Sequence, residues 1–138
     1  MKDKIKKILE LIKDNRFIEA KIICDNIKNK LDKNFEFINI HGYILFHLND
    51  YQDAIKLWKK AIIIKPDYIF ALNNLGNVHS KLNKHTEAIE FFKKALEIKP
   101  DYFEALFGIS DVYFRIQNYK DALIHLNKSL KIKPNLLP

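Results

Sequence analysis

The chain has 138 residues with 24 Lys and Arg against 17 Asp and Glu, a formal net charge of +7, and 48% hydrophobic residues. This length suits a single domain, and the apolar content together with only three glycines and four prolines excludes a largely disordered chain. The single cysteine, Cys24, excludes an internal disulfide. No apolar run has the length of a membrane span or the character of a signal peptide, so we expect a cytoplasmic protein that does not enter a membrane.

The first 34 residues are predicted to form two short helices. The first helix carries an apolar stripe at i, i+3, i+4 and i+7. Its members are Ile5, Ile8, Leu9 and Ile12. A turn at residues 14 to 16 separates it from a second helix that begins near Phe17 and contains Ala20 and Cys24.

A period of 34 residues runs through the chain. KPDY occupies residues 65–68 and 99–102, and KPNL occupies residues 133–136. Other positions agree at the same interval: Ala20, Ala54, Ala88 and Ala122; Phe17, Tyr51, His85 and Tyr119; Gly42, Gly76 and Ser110. Such a period is typical of a repeat architecture. We predict a unit at 1–34, further units at 35–68, 69–102 and 103–136, and a tail at 137–138.

Each unit is predicted to be a pair of helices joined by a turn of about three residues. Asn15, Asn49 and Asn83 are expected to end the first helices in a left-handed conformation. The prolines that follow Lys65, Lys99 and Lys133 should end the second helices. Asp67 and Asp101 should then cap the next helices, with Glu104 completing a capping box.

Small residues in the middle of the first helices predict close packing between the helices of a unit. Glycine at such a position costs roughly 1 kcal/mol relative to alanine, which a close helix contact would offset. Gly42, Gly76 and Ser110 are expected to face Ala54, Ala88 and Ala122, with Trp58, Phe92 and Leu126 filling space one turn further on.

No arrangement of polar residues predicts catalysis. His41 and His47, like His79 and His85, are six residues apart, which points them in different directions on a helix and makes poor metal-ligand spacing. Cys24 is equivalent to Trp58, which indicates a buried core residue rather than a nucleophile. We therefore predict a protein that is not an enzyme, with no catalytic residue, metal or cofactor.

The repeat pattern resembles the tetratricopeptide repeat (TPR) family, in which large-x2-large-small-x2-large is followed by Ala-x3-large and then Pro. The resemblance covers residues 35–136 and is best at LNNLGNVH, AIEFF and Pro100. The first unit departs from it, because Ile8 and Asp32 replace the small residue and the proline, and because Lys4 and Lys7 stand at usually apolar positions. We interpret that unit as a degenerate capping repeat. The resemblance implies an all-α, right-handed superhelical solenoid of about eight antiparallel helices.

The same resemblance implies a concave groove that holds an extended peptide or a helix of a partner protein. The residues predicted to line it are Asn39, Tyr43, His47, Asn73, Asn74, Asn77, Lys81, Phe107, Asp111, Phe114 and Arg115. Asn74 and Asn77 match asparagines that are frequent in the family. A clamp for the acidic C-terminal tails of chaperones is not predicted, because Tyr43, Glu104 and Gly108 replace the Asn, Lys and Arg that it requires.

Two other functions stay open beside a scaffold that binds a partner protein. Leu136 and Leu137 at an uncapped end predict self-assembly into a homo-oligomer, unless they fold back as a lid or the chain continues into a longer array. The basic charge offers a weaker case for nucleic acid. It would use lysines of the second helices, Lys56, Lys59, Lys60, Lys93, Lys94 and Lys128. Arg16 and Arg115 are the only arginines, so a solvated lysine surface is the better interpretation.

Overall fold

The computed structural model describes residues 1–136, with side chains described to Asn135, and within that range the chain forms eight α-helices and no strand. The helices are α1 Lys2–Lys13, α2 Phe17–Ile27, α3 Phe35–His47, α4 Tyr51–Ile64, α5 Ile69–Lys81, α6 His85–Ile98, α7 Phe103–Arg115 and α8 Tyr119–Ile132. Short 3-10 turns follow α2 at Lys28–Lys30 and α8 at Pro134–Leu136. The predicted all-α fold of paired helices is confirmed.

Consecutive helices pack as four hairpins, α1 with α2, α3 with α4, α5 with α6 and α7 with α8. The chain divides into two compact units, an N-terminal unit Met1–Pro66 and a C-terminal unit Asp67–Pro138. Each unit holds two hairpins. Within the C-terminal unit, α7 also packs against both α5 and α6. A residue of α7 therefore contacts the preceding repeat as well as its own.

Every first helix ends in the same left-handed turn. Asn15, Asn49 and Asn83 have φ angles of 57°, 65° and 58°, as predicted from the sequence. Gln117 takes the same conformation at φ 63°, although a glutamine at this position gave no sign of it. The next backbone N–H closes each turn by donating to a carbonyl five residues earlier, as Lys84 does to His79 at 2.8 Å.

The KPDY segments end one helix and begin the next, but not quite as predicted. Lys65, Lys99 and Lys133 are the C-caps of α4, α6 and α8, which confirms the effect of the following prolines. The capping prediction was wrong, because α5 and α7 begin one residue later and their N-caps are Tyr68 and Tyr102, without a side-chain cap hydrogen bond. Glu104 is consequently the second residue of α7, too early to complete a capping box.

The mid-helix glycines lie against aromatic rings. A Cβ added to Gly42 would lie 2.7 Å from Nε1 of Trp58, and one added to Gly76 would lie 2.6 Å from the ring of Phe92. The glycines make room for the large side chains that we expected one turn beyond the alanines, and the alanines themselves are buried. Close packing is confirmed, with Trp58 and Phe92 as the nearest contacts of Gly42 and Gly76.

The N-terminal unit has an apolar core that includes Cys24. That core contains Ile8, Leu11, Ala20, Cys24, Ile27, Phe37 and Ile44. Cys24 is completely buried, and burial raises the pKa of its thiol to about 12. A thiol that stays protonated is not a nucleophile, so Cys24 is a core residue as predicted. Lys4 and Lys7 are exposed on α1.

Candidate functional site

In the N-terminal unit, the predicted groove residues lie on α3 beside an aromatic cluster. His47 stacks on Phe17 with ring centroids 4.5 Å apart and planes 6° apart, and the ring of Tyr43 lies 4.4 Å from that of His47. The backbone carbonyl of Asn39 accepts a hydrogen bond of 3.2 Å from Nε1 of Trp58. Partial burial lowers the pKa of His47, because it disfavours the charged imidazolium. Tyr43 and His47 both keep exposed surface.

The four predicted groove residues of α5 do not share one environment. Asn77 and Lys81 are exposed, and Asn74 is half-buried. Asn73 is only 7% exposed, and its Oδ1 is buried without a hydrogen-bond partner. Its side chain therefore lies in the interior, and contact between Asn73 and a ligand stays a prediction. The reason for the burial is that eight of the 13 residues of α5 are buried, since this helix packs against both α6 and α7.

A cleft between α5 and α7 brings five predicted residues together in the C-terminal unit. It has a volume of about 220 Å³ and is lined by Asn77, Ser80, Lys81, Phe92, Phe107, Gly108, Asp111 and Arg115. Arg115 fixes one side of it, because Nη2 lies 3.0 Å from Oδ2 of Asp111 and Nη1 donates to the Ser80 carbonyl at 3.2 Å. The cleft combines an amide, two cations, a carboxylate and the exposed ring of Phe107.

A second and more apolar cavity lies between α7 and α8. Its volume is about 390 Å³, and its lining is Phe107, Ser110, Asp111, Phe114, Tyr119, Ala122, Leu123 and Leu126. The sequence analysis placed Phe107, Asp111 and Phe114 in a groove but did not identify Tyr119, Leu123 or Leu126. A signal was present, because Phe107 and Phe114 replace Asn73 and Ser80 at equivalent positions. The predicted contacts at Leu136 and Leu137 are not described, since Leu137 and the Leu136 side chain lie outside the described residues.

A polar cavity of about 420 Å³ opens between α2, α3 and α4 in the N-terminal unit. There His41 is buried, and its Nε2 lies 3.5 Å from Oδ1 of Asp25, whose Oδ2 accepts a 2.6 Å hydrogen bond from Lys21. Burial lowers the pKa of His41. Burial alone would raise the pKa of Asp25, but the hydrogen bond and charge of Lys21 outweigh it, and the pKa is lowered. His41 is thus a buried histidine of the interior.

Among residues 1–136, no three His, Cys, Asp or Glu side chains are placed to hold a metal ion. In the same part of the chain, no helix combines the length and apolar character needed to cross a bilayer.

Comparison with solved structures shows what the fold is similar to. A crystal structure of MamA is 23% identical and superposes with a TM-score of 0.84. The match covers 93% of this chain and 75% of the MamA chain. A crystal structure of YrrB, described as a TPR protein with an unusual peptide-binding site, is 20% identical with a TM-score of 0.80, covering 91% of this chain and 65% of its own. A tetratricopeptide repeat protein from Parabacteroides merdae is 19% identical, with a TM-score of 0.82. The match covers 99% of this chain and 54% of the Parabacteroides protein.

No curated protein matches the sequence, whereas three family models do. Models described as tetratricopeptide repeat match residues 69–102 and 103–136, and one described as TPR repeat matches residues 42–83. These matches fall within the three units in which the 34-residue pattern is clearest. The chain belongs to the tetratricopeptide repeat family.

Proposed function

We propose that the protein is a non-catalytic scaffold that binds a segment of a partner protein on the surface of its first helices. The observation that carries this proposal is the cleft between α5 and α7, where Asn77, Lys81, Phe107, Asp111 and Arg115 converge. These residues come from two repeats, so their convergence depends on the stacked fold. A scaffold that acts through such a surface needs no catalytic group.

The chemistry of the cleft favours an extended peptide. The Asn77 amide can both donate to and accept from a peptide backbone. Phe107 is 50% exposed and offers an apolar wall for one side chain of the ligand. The cation of Lys81 lies on the same cleft, whereas Arg115 is already paired with Asp111. We therefore expect a ligand with an apolar side chain followed by a polar or acidic one. An affinity near micromolar, about 8 kcal/mol, is typical of such a contact.

The similarity to YrrB adds limited support. That protein is described as having an unusual peptide-binding site, and its fold superposes on this chain with a TM-score of 0.80. At 20% identity the likeness concerns the fold and not the residues of the site.

The test is capture of partner proteins with matched variants. Asn77→Ala together with Lys81→Ala removes two exposed cleft groups, and Asn127→Ala together with Lys128→Ala makes the same changes on an exposed part of α8. We expect proteins captured from the native lysate by the wild type and the α8 variant to be lost with the cleft variant. Circular dichroism should show that both variants stay folded. Equal capture by the two variants would contradict the proposal.

Self-assembly through the last repeat stays a prediction of the sequence. The cavity between α7 and α8 could supply one half of such a contact. For stacking of one copy on the next, the other half would come from α1, which exposes Lys4, Lys6 and Lys7. Because burying unpaired lysines against apolar surface is unfavourable, we favour a scaffold for another protein.

A further inference from the structure

We propose that the apolar face of α7 and α8 at the end of the C-terminal unit is a docking site for an amphipathic helix of another protein. We define this end face by Phe107, Phe114, Tyr119, Leu123 and Leu126, which line the 390 Å³ cavity. The residues of the last repeat that line this cavity differ from those that line the peptide cleft, except that Phe107 and Asp111 line both. It adds a second kind of partner to the proposed scaffold.

The chain itself shows how such a face is covered one repeat earlier. Each end-face residue has an equivalent 34 positions before it on α5 or α6, and two of these equivalents, Ser80 and Phe92, contact α7 directly. There Gly108 of α7 lies against the ring of Phe92. A Cβ added to Gly108 would lie 2.6 Å from that ring. At its C-terminal end, α7 is fixed by the hydrogen bond from Arg115 to the Ser80 carbonyl. A first helix is thus the natural occupant of this kind of face.

We call the equivalent face of α5 and α6, on which α7 packs, the covered face. The end face is more apolar than the covered face. Asn73 and Ser80 are 7% and 8% exposed, whereas their equivalents Phe107 and Phe114 are 50% and 63% exposed. Tyr119, at 53% exposed, stands in the place of His85. A repeat that ends in solvent is expected to have a polar outer face. Aromatic residues at positions that were polar one repeat earlier therefore indicate a surface that becomes covered.

The covered face defines the chemistry of the occupant. The 13-residue helix α7 places a small residue over Phe92 and, seven positions later, a guanidinium at the Ser80 carbonyl. On the end face, Leu126 takes the place of Phe92, and the Phe114 carbonyl takes the place of the Ser80 carbonyl. We infer a helix with a small residue over Leu126, apolar neighbours against the aromatic rings, and Arg near its C-terminal end.

A second copy of this chain does not present such a helix. In α1, the position equivalent to Gly108 is Lys6, and those equivalent to Ala105 and Ile109 are Asp3 and Lys7. Ala105 and Ile109 are completely buried, so charged residues in their places would be desolvated on an apolar face. The contacting side of α7 itself is already packed on α6. Between a second copy of this chain and a separate protein, the separate protein is therefore the occupant that fits.

The test uses a helical peptide that reproduces the contacting side of α7. The peptide keeps one side of that helix and has Ala, Glu and Lys elsewhere. The kept residues are Ala105, Leu106, Gly108, Ile109, Val112 and Arg115. Binding of a fluorescent peptide to the whole protein is followed by anisotropy, with a peptide of scrambled order as the control. We expect saturable binding of the designed peptide only.

Matched variants locate the binding site. Phe107→Asn with Phe114→Ser gives the end face the residues of the covered face, and we expect about a tenfold loss of peptide affinity. Leu123→Asn, on a residue 57% exposed, should weaken binding independently. Ile18→Asn with Ile63→Ser changes two exposed apolar residues of the N-terminal unit and should leave affinity unchanged. Thermal melts check that the variants fold.

Three results would overturn the proposal. They are no binding of the designed peptide, equal binding by the end-face variants, and a wild-type dimer in sedimentation equilibrium that the end-face variants make monomeric. The last result would show that a second copy is the occupant. The cleft variant Asn77→Ala with Lys81→Ala should keep its affinity for the peptide, so a failure of the peptide-cleft proposal stays distinguishable from a failure of this one.

Discussion

Phe92 connects three helices of the C-terminal unit. The ring is completely buried on α6, and a Cβ added either to Gly76 of α5 or to Gly108 of α7 would lie 2.6 Å from it. In the last repeat the equivalent pair is Ser110 and Leu126, where a larger residue on the first helix accompanies a smaller one on the second. The glycines are therefore explained by the size of the ring, because protein interiors are close-packed.

Gly76→Ala tests this explanation. Alanine would gain about 1 kcal/mol of helix propensity, but overpacking a filled core costs about 1–3 kcal/mol. Because the ring of Phe92 is enclosed between two helices, we expect overpacking to dominate and urea unfolding to show a net loss of about 1 kcal/mol. When Phe92 is also replaced, by Phe92→Leu, Gly76→Ala should lower the free energy of unfolding by less than it does in the wild type. A more stable Gly76→Ala variant would contradict this account.

The buried imidazole of His41 gives a prediction on pH. Burial lowers its pKa below the ordinary 6.5, so between the folded pKa and 6.5 the unfolded chain binds more protons than the folded chain. The free energy of unfolding should therefore fall as pH falls through that window, and recover as pH rises above 6.5. Asp25 opposes the shift, and the lysines Lys21 and Lys28 reinforce it.

The measurement compares urea unfolding from about pH 7.5 to about pH 5.5 in the wild type and in His41→Gln. We expect a shallower loss of stability in the variant, whatever its absolute stability. His47, whose pKa burial also lowers, acts in the same direction, so adding His47→Gln should flatten the profile further. The pKa of Asp25 is lowered from its ordinary 3.8, so protonation of this carboxyl changes stability only below the pH range of the measurement. An unchanged pH slope in His41→Gln would refute the assignment.

The helices were largely predictable from the sequence, because their signals are local. Apolar periodicity, the left-handed asparagines and the prolines act within a few residues and gave every helix of the described range. The starts of α5 and α7 were missed, since Asp67 and Asp101 are good caps by residue type while the backbone becomes helical only after the tyrosines. The burial of Asn73 and the place of Tyr119, Leu123 and Leu126 beside Phe107 were missed, because burial depends on which neighbour lies beside a helix and a repeat pattern does not specify the neighbours of its ends.

The second helices differ in how their N-termini are capped. Asn118 caps α8 by accepting a 3.3 Å hydrogen bond from the Asp121 amide. Lys84 occupies the equivalent position before α6 with a similar backbone, φ −89° and ψ 76°, but makes no side-chain cap. Its cation also lies at the positive end of the helix dipole.

Lys84→Asn should therefore stabilise the protein, by about 1 kcal/mol. Urea unfolding measures the gain, and Asn118→Ala should produce a loss of similar size at the other helix. Lys120→Asn, a change of the same type inside the first turn of α8, is the control and should bring no gain. If Lys84→Asn and Lys120→Asn have the same effect, capping is not the cause.

Burial is distributed unevenly along the whole molecule. Eight of 13 residues are buried in α5, and six of 13 in each of α3 and α7. By contrast, two of 12 are buried in α1 and two of 14 in α8. In repeat proteins each unit is stabilised by its neighbours, so helices with few buried residues open with less free energy than the interior ones.

Native-state hydrogen exchange should resolve this difference. We expect amides of α5 to exchange only through global unfolding, with a steep dependence on denaturant, and amides of α1 and α8 to exchange through local opening that costs about 2 kcal/mol less. The designed helical peptide provides a control within the molecule, because by covering the end face it should slow exchange in α8 and leave α1 unchanged. Equal opening free energies in α1, α5 and α8 would mean that the chain unfolds as one cooperative unit, and the uneven burial would then have no energetic consequence.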